Sequence, residues 1–213
     1  MNRSHMKLID ISWPITEDMT GYKDRRSARF IQVKTIEKDQ ARQSMISLDS
    51  HAGTHLDAPS HFLQDGDTIE KIPLEFLQGE CRVLDFTSKD DCITKSDLEK
   101  KEIQPGERLL FKTRNSSRSA TEKFDEKFIF LEKNAAAYLV EKKVQLIGID
   151  YLGLERNQPE HETHVQLLSN QIVIIEGLRL AGVAEGKYQL LCLPLAIRSL
   201  EAAPTRAILI TPD

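Results

Sequence analysis

The sequence predicts a mixed α/β fold that is rich in strands, and three observations support this prediction. The chain has 213 residues, of which 40% are hydrophobic and 29% charged, enough for a domain with its own core. Nine short apolar or alternating runs have the length of strands, whereas few segments are helical in character. Three strand candidates precede the first helix candidate, which argues against a simple alternation of strands and helices. Residues 6–213 are therefore interpreted as one domain.

The predicted elements follow from local patterns. The strand candidates are residues 7–13, 28–36, 44–48, 82–86, 108–112, 144–149, 172–175, 189–193 and 207–210. Helix candidates are residues 98–101 and 132–143, with weaker ones at residues 73–77 and 160–168. Thr94 and Asp97 have the spacing of a capping box at the start of the first of these helices. The polar residues 114–126 are predicted to form an exposed loop within the domain.

The composition bears on functional class and location. The net charge of −4 gives no electrostatic reason to expect nucleic-acid binding, and no apolar run approaches the ~18 residues of a membrane span. The three cysteines form no C-x-x-C pair, so neither a disulfide framework nor a thiolate zinc site is predicted, and a cytoplasmic location is expected. Residues 1–5 precede a second start at Met6 and are interpreted as a cloning remnant, so His5 is excluded from the site.

One short segment contains most of the candidate chemistry. His51, His55, Asp57 and His61 lie within eleven residues, in a segment with Gly and Pro that is predicted to be a loop or short turn. Imidazole and carboxylate groups bind zinc, manganese or iron, and a carboxylate can bridge two ions. His51 and His55 would share a face if the segment turned helically. Such a cluster favours a metal or catalytic site over a polar loop.

Two later regions could complete the site. Glu176 follows the apolar run 172–175, so it is predicted at the end of a buried strand, where a carboxylate is costly unless something pairs with it. His161 and His164 are three residues apart and could face the same way on a helix. The two leucines after His164 would anchor it near the core, whereas His161 is predicted to be a solvated neighbour.

Residues 51–62, His-Ala-Gly-Thr-His-Leu-Asp-Ala-Pro-Ser-His-Phe, resemble the H-x-G-T-H-x-D-A-P-x-H-F signature of the Putative cyclase family. That family includes bacterial kynurenine formamidase (arylformamidase) and isatin hydrolase. Residues 8–12 and 148–150 also resemble family stretches, as does His164 followed twelve residues later by Glu176. These matches occur in the family's order, and the resemblance spans most of the chain from Lys7 onwards.

The resemblance implies a function, a fold and an assembly. It implies one or two divalent ions, zinc or manganese, with Asp57 able to bridge two of them, and His61 at the position of the family's candidate catalytic histidine. It implies a swivelling β/β/α domain, with a barrel-like mixed sheet and flanking helices, that forms a homodimer or homotetramer. The implied metal ligands are His51, His55, Asp57, His164 and Glu176.

The predicted function is metal-dependent hydrolysis of an aryl formamide such as N-formylkynurenine, in tryptophan catabolism. A divalent ion would polarise the carbonyl and lower the pKa of its bound water from 15.7 towards ~7, and His61 would act as general base and acid. Trp13 is a candidate substrate contact, although packing in the core is an equally good interpretation. Residues 19–24 and 151–155 would flank the pocket and differ from the family pattern, so the substrate stays open.

Three alternatives remain at this stage. The first is a hydrolase of cyclic amides, similar to isatin hydrolase. The second is an iron(II) oxygenase with a 2-His-1-carboxylate triad made of His55, Asp57 and His164, which would leave the other members of the cluster unused. The third is a non-catalytic metal-binding protein on the same fold, which would have no need of His61.

Overall fold

The computed structural model describes residues 6–211 and has a mixed α/β fold. Residues 1–5, interpreted as a cloning remnant, and residues 212–213 lie outside the described part. Within the described residues, the α-helices are α1 (Ile36–Asp39), α2 (Lys95–Glu99), α3 (Lys133–Glu141) and α4 (Glu162–Ser169). The strands there are β1 (Leu8–Asp10), β2 (Ala28–Lys34), β3 (Gln43–Leu48), β4 (His55–Asp57), β5 (Gln78–Asp85), β6 (Cys92–Ile93), β7 (Arg108–Lys112), β8 (Phe130–Leu131), β9 (Leu146–Ile149), β10 (Val173–Glu176), β11 (Gly186–Pro194) and β12 (Ala202–Ile210).

Seven strands close into a barrel-like sheet. Their order is β12-β11-β5-β7-β9-β10-β4, and β4 pairs back to β12 to complete the ring. The pairs β5–β7, β7–β9 and β9–β10 are parallel, and the other four pairs of the ring are antiparallel. Strand β1 adds to the far end of β12. The predicted strand-rich, barrel-like mixed sheet is confirmed.

Alternation along the strands divides the buried side chains between two cores. Leu56, Leu110 and Ile175 belong to a cluster that draws on every strand of the ring and fills its interior. Ile147 and Ile174 belong to a second cluster, which the side chains of α2, α3 and α4 share. Neighbouring residues of one strand therefore face either the barrel interior or the helices outside it.

Two predicted helices cover the outer face of the parallel strands. Helix α3 buries Ala135, Ala136 and Leu139, and α4 buries Leu167 and Leu168, all in the outer core. The helix formers of residues 132–143 thus fold as their pattern predicts. Among the described residues, no helix combines the length and the apolar character needed to cross a membrane.

Other local predictions have mixed outcomes. The capping box is present at α2, since Thr94 and the Asp97 side chain each accept a hydrogen bond from the other's backbone N–H. The weak helix candidate at residues 73–77 is only a 3₁₀ turn, Leu74–Phe76. Residues 114–126 form an irregular loop that begins with a short 3₁₀-helix. The prediction that this loop is exposed is wrong for Asn115 and Ser116, which are buried.

Strands β2 and β3 form a separate two-stranded hairpin with α1 at its tip. Helix α1 was not predicted, because the strand candidate ran through residue 36. The chain turns there because the Thr35 side chain accepts a hydrogen bond from the backbone N–H of Lys38 and caps a single helical turn. The hairpin leaves Phe30, Met45 and Ile46 exposed.

Strand β4 corrects the prediction of a loop at the histidine-rich segment. Its three residues pair with β10 on one side and with β12 on the other. Three residues are too few to show an alternating pattern, and their partners lie far along the chain, so the strand depends on tertiary pairing. The histidine-rich segment is consequently held by the barrel itself.

Candidate metal centre

Three of the predicted ligands lie on the outer face of the barrel, where β4 pairs with β10. In this register Glu176 lies opposite His55, and Ile174 lies opposite Asp57. Leu56 points into the barrel, so its neighbours His55 and Asp57 point outward, on the same face as Glu176. As predicted, Glu176 is the last residue of a buried strand. The sheet register thus fixes two carboxylates and one imidazole beside one another.

Helix α4 adds His164 to this group. The helix packs against β10, and two buried leucines in the turn after His164 hold it there. Nε2 of His164 lies 3.2 Å from Oε1 of Glu176 and 3.7 Å from Oδ2 of Asp57. Nε2 of His55 lies 3.5 Å from Oδ1 of Asp57 and 3.5 Å from Oε2 of Glu176. Two imidazole nitrogens therefore face the same two carboxylates.

His51 approaches Asp57 from the turn that precedes β4. Its Nδ1 lies 3.2 Å from Oδ1 of Asp57, and its ring is edge-on to that of His55 with centroids 4.8 Å apart. His51 lies in a turn and His55 begins a strand, so the two do not share the helical face that their spacing allowed. The side chain of His51 is 25% exposed.

The five side chains form two overlapping triads whose donors fit a divalent cation. In each triad, one ligand atom per residue lies within 4.8 Å of the others. Nε2 of His55 and Oδ1 of Asp57 are buried without a hydrogen-bond partner, which is costly unless a cation completes their coordination. Imidazole and carboxylate donors suit Zn²⁺ or Mn²⁺. The triads are His51, His55, Asp57 and Asp57, His164, Glu176.

Opposite charges shift the pKa values in this cluster. Burial lowers the pKa of His164, but contacts with Glu155 and Glu176 outweigh burial and raise this pKa to about 10. Burial also lowers the pKa of His55, but the contacts of His55 with Asp57 outweigh burial and raise this pKa to about 9. Burial acts to raise the pKa of Asp57, yet the neighbouring histidines bring it well below its usual value. Protons and a divalent cation thus compete for the same imidazole nitrogens.

His61 lies beside the triads without belonging to them. It ends the 3₁₀-helix Pro59–His61, and its ring centroid is 4.3 Å from that of His51 and 6.3 Å from that of His164. Burial lowers the pKa of His61 below its usual value. Its imidazole is therefore neutral at neutral pH and can accept a proton.

Gly177, directly after β10, lies in close contact with Gly53, which precedes β4. This contact allows the chain segments next to the two strands to lie close together. Gly177 has a φ of +71°, and a Cβ atom there would lie 2.3 Å from the carbonyl oxygen of Gly53. Only glycine fits this position without displacing the backbone. The same carbonyl oxygen of Gly53 lies 2.9 Å from Nδ1 of His55. This contact directs Nε2 of His55 towards the carboxylates.

Sequence reasoning missed two acidic residues at the site. Oε1 of Glu155 lies 3.1 Å from Nδ1 of His164, and Oε1 of Glu201 lies 3.5 Å from Nε2 of His51. Glu155 follows β9, and the parallel pairing of β9 with β10 brings the loop after β9 close to Glu176. This pairing is a tertiary feature, so no local sequence pattern indicates Glu155. Glu201 precedes β12, and no local pattern marks it.

His161 and Trp13 lie further from the two triads. His161 precedes α4, its side chain is 52% exposed as predicted for a solvated neighbour, and its Nδ1 contacts the Glu155 carboxylate. Trp13 is 2% exposed, and its Nε1 donates a hydrogen bond to the carbonyl oxygen of Ala120. This position serves packing in a third buried cluster, and a substrate contact by Trp13 stays a prediction.

Known proteins are similar to this chain in sequence and in fold. A family model described as "Putative cyclase" matches residues 9–156. A protein of Bacillus anthracis named kynurenine formamidase is 32% identical over 205 residues, which cover 95% of this chain and 97% of that protein. A solved structure described as a "potential metal-dependent hydrolase with cyclase activity" is 42% identical, with a TM-score of 0.89 over 98% of this chain and 100% of its own.

A second solved structure extends the likeness of fold. It is an isatin hydrolase bound to the product analogue thioisatinate, and it covers 98% of this chain and 93% of its own with a TM-score of 0.86. At 19% identity, this likeness concerns the fold alone. The family match spans more than half of the sequence and includes the histidine-rich segment. The chain belongs to the Putative cyclase family.

Proposed function

We propose that this protein is a metal-dependent hydrolase of a non-peptide amide bond and that its substrate is an aryl formamide such as N-formylkynurenine, in tryptophan catabolism. The observation that carries the proposal is the pair of triads sharing Asp57, with His61 beside them. Amide hydrolysis needs a polarised carbonyl and a group that moves protons, and this cluster offers both. The 32% identity to the protein named kynurenine formamidase supports a formamide substrate.

The chain's part in metal binding is to hold the donors in place. Asp57 and Glu176 lie on paired strands and His164 on a packed helix, so these donors need little rearrangement. We propose Zn²⁺ or Mn²⁺, one or two ions per chain, held by the five residues of the triads. When bound, the cation supplies Lewis acidity towards the substrate carbonyl and towards water. The partial exposure of His51 leaves room for substrate on that side.

His61 is proposed to move the protons. Its neutral imidazole accepts a proton from the attacking water and returns it to the amine nitrogen when the carbon–nitrogen bond breaks. The ring lies 4.3 Å from that of His51, measured between centroids, and so stays near the reacting atoms without being a ligand. General acid–base catalysis of this kind contributes typically ~10²–10⁴-fold to the rate.

The decisive experiment is turnover of N-formylkynurenine by purified protein, before and after removal of metal by a chelator. We expect activity to disappear with the metal and to return with Zn²⁺ or Mn²⁺, with equal release of formate and kynurenine. If isatin were turned over faster than formamides, the substrate would instead be a cyclic amide. Activity that requires iron and oxygen would identify the oxygenase. If the metal-loaded protein were inactive on all of these substrates, the result would favour the non-catalytic metal-binding protein.

We also propose that the chain forms a homodimer or homotetramer through the β2–β3 hairpin. The hairpin exposes Met45 and Ile46, which are 56% and 61% accessible, and an isolated two-stranded hairpin is marginally stable in water. A second apolar surface includes Leu191 and Leu193 on the outer face of β11. Contact between copies of the chain would cover both surfaces.

Light scattering on the purified protein tests this assembly. Ile46→Lys should lower the measured mass towards that of one chain, because it places a charge in the apolar surface. Leu74→Lys is the matched control, since Leu74 is 63% exposed and lies outside both surfaces. A wild-type mass of a single chain would overturn the proposal.

We further propose a cytoplasmic location. All three cysteines are free thiols, and burial raises the pKa of Cys81 and of Cys192 to about 12. Unpaired thiols suit a reducing compartment. Fractionation of cells that produce the protein naturally would check this location.

A further inference from the structure

The three candidate histidine ligands share one arrangement. Each imidazole directs one ring nitrogen at the site carboxylates and presents the other to an oxygen atom outside the triads. For His55 this outer oxygen is the carbonyl of Gly53, and for His51 it is Oε1 of Glu201. For His164 it is Oε1 of Glu155, 3.1 Å from Nδ1. A ring nitrogen that binds a cation must be free of its proton. The other nitrogen then carries the proton, and an acceptor placed there fixes which nitrogen does so.

Glu155 holds His164 at two points. Its Oε2 accepts a hydrogen bond from the backbone N–H of His164 at 3.2 Å, while its Oε1 faces Nδ1 of the same residue. The first contact is a hydrogen bond that ties the carboxylate to the start of α4. The second is an ion-pair contact outside hydrogen-bond geometry, and it places a carboxylate oxygen beside Nδ1 of the ring. Glu155 is 9% exposed, so water competes little for either contact.

The surroundings of Glu155 keep its carboxylate in place. Nδ1 of His161 contacts Oε1 of Glu155 from the solvent side. The preceding residue, Leu154, donates its backbone N–H to Oε1 of Glu176 at 2.6 Å. The Phe62 ring lies against both His161 and His164, with centroids 4.5 Å and 4.6 Å away. The loop that carries Glu155 is therefore fastened to both site elements, β10 and α4.

We propose that Glu155 is a positioning residue of the metal centre, whose carboxylate keeps the proton on Nδ1 of His164 and leaves Nε2 for the cation. This inference rests on the proposed function, because it requires His164 to bind metal. An ionised carboxylate can only accept hydrogen bonds, whereas an amide could donate to Nδ1 and favour the opposite tautomer.

The affinity of the metal-free protein for Zn²⁺, measured by calorimetric titration, tests this assignment. Glu155→Gln should raise the dissociation constant about 10–100-fold, as for other residues that orient a metal-binding histidine. Glu160→Gln is the matched control, because Glu160 is exposed and the change removes the same charge five residues away. Its dissociation constant should equal that of the wild type. Equal values for Glu155→Gln and the wild type would overturn the inference.

A second measurement needs no variant and so does not depend on the folding of Glu155→Gln. Nitrogen NMR of the Zn²⁺-loaded wild type distinguishes protonated from metal-bound ring nitrogens. We expect His164 to carry a proton on Nδ1 and to bind Zn²⁺ through Nε2. Binding through Nδ1 would overturn the role of Glu155 while leaving the metal centre intact. A wild type that binds no Zn²⁺ or Mn²⁺ would overturn the proposed function together with this inference.

Discussion

The candidate metal centre has a buried side and an open side. On the buried side Asp57, His164 and Glu176 are 1%, 5% and 6% exposed, and a strand pair and a helix hold them. On the open side His51 lies in a turn and His61 in a 3₁₀-helix, and both are partly exposed. Asp57 contacts histidines from both sides, so one carboxylate joins the fixed and the accessible parts.

The difference in burial separates two tasks. Charges on the buried side are weakly screened by solvent, so their contacts are strong and costly to leave unpaired. Contacts on the open side are weakened by water and salt, but that side can admit a substrate. We therefore expect substitutions on the buried side to change metal affinity and stability, and the substitution of His61 to change turnover alone.

The largest effect is expected from Asp57→Asn, at the residue shared by both sides. The change removes the charge that faces three histidines and keeps the volume of the side chain. Bound metal, measured by mass spectrometry, should fall to background and turnover should cease. The metal-free protein should also lose about 3 kcal/mol of unfolding free energy in urea, because buried imidazolium groups lose their partner.

Asp65→Asn provides the control for Asp57→Asn, since Asp65 is exposed and eight residues away. It should retain the metal content, turnover and stability of the wild type. Wild-type metal content in Asp57→Asn would contradict the idea that one carboxylate joins the two sides.

The next effect is expected on the open side, from His61→Ala. Metal content should stay at the wild-type value, and turnover of N-formylkynurenine should fall about 10²–10⁴-fold. His51→Ala is the comparison variant, because it removes a candidate ligand next to His61 and should lower metal content as well. Full activity of His61→Ala would remove His61 from the mechanism.

The pH profile of the wild type sharpens the role of His61. Burial lowers the pKa of His61, and a base must be unprotonated to accept a proton. Turnover should therefore be constant around neutral pH and fall only on the acid side, below the usual histidine value of about 6.5. His61→Ala should lack this acid limb in its residual rate. An acid limb that persists in the variant would assign it to another group.

Some elements could be predicted from sequence because their patterns are local. The strand predicted at residues 108–112 has the bounds of β7, and the alanine-rich run of residues 132–143 contains α3. Strand β4 could not be predicted, because its three residues show no alternation and its partners, β10 and β12, lie far along the chain. The site depends on β4 for the positions of His55 and Asp57.

The candidate ligands could be predicted because residue type alone marks them. A segment with His51, His55 and Asp57 is unusual in any loop, and a carboxylate after a buried run, such as Glu176, draws attention for its desolvation cost. Glu155 and its contact with His164 could not be predicted, since they depend on the parallel pairing of β9 with β10 and on the docking of α4. Sequence therefore indicates which groups are candidate ligands, whereas tertiary pairing decides which groups lie beside them.

The smallest effect is expected away from both sides of the centre, at the capping box of α2. Thr94 Oγ1 accepts a hydrogen bond from the backbone N–H of Asp97 at 3.3 Å, and the Asp97 carboxylate accepts one from the backbone N–H of Thr94 at 3.0 Å. Thr94→Ala should cost about 1 kcal/mol of unfolding free energy in urea. Metal affinity and turnover should stay at wild-type values, because α2 contributes no ligand.

The pH dependence of this small effect has a definite sign. Burial acts to raise the pKa of Asp97, but its hydrogen bonds with Thr94 and Lys89 lower this pKa to about 2, from an ordinary value of 3.8. Stability from the ionised carboxylate is therefore present above pH 3.8 and is lost as the pH falls towards 2. The stability difference between wild type and Thr94→Ala should shrink across that window. A change in metal affinity in this variant would instead show that α2 is coupled to the buried side, and burial alone would then not separate the two sides.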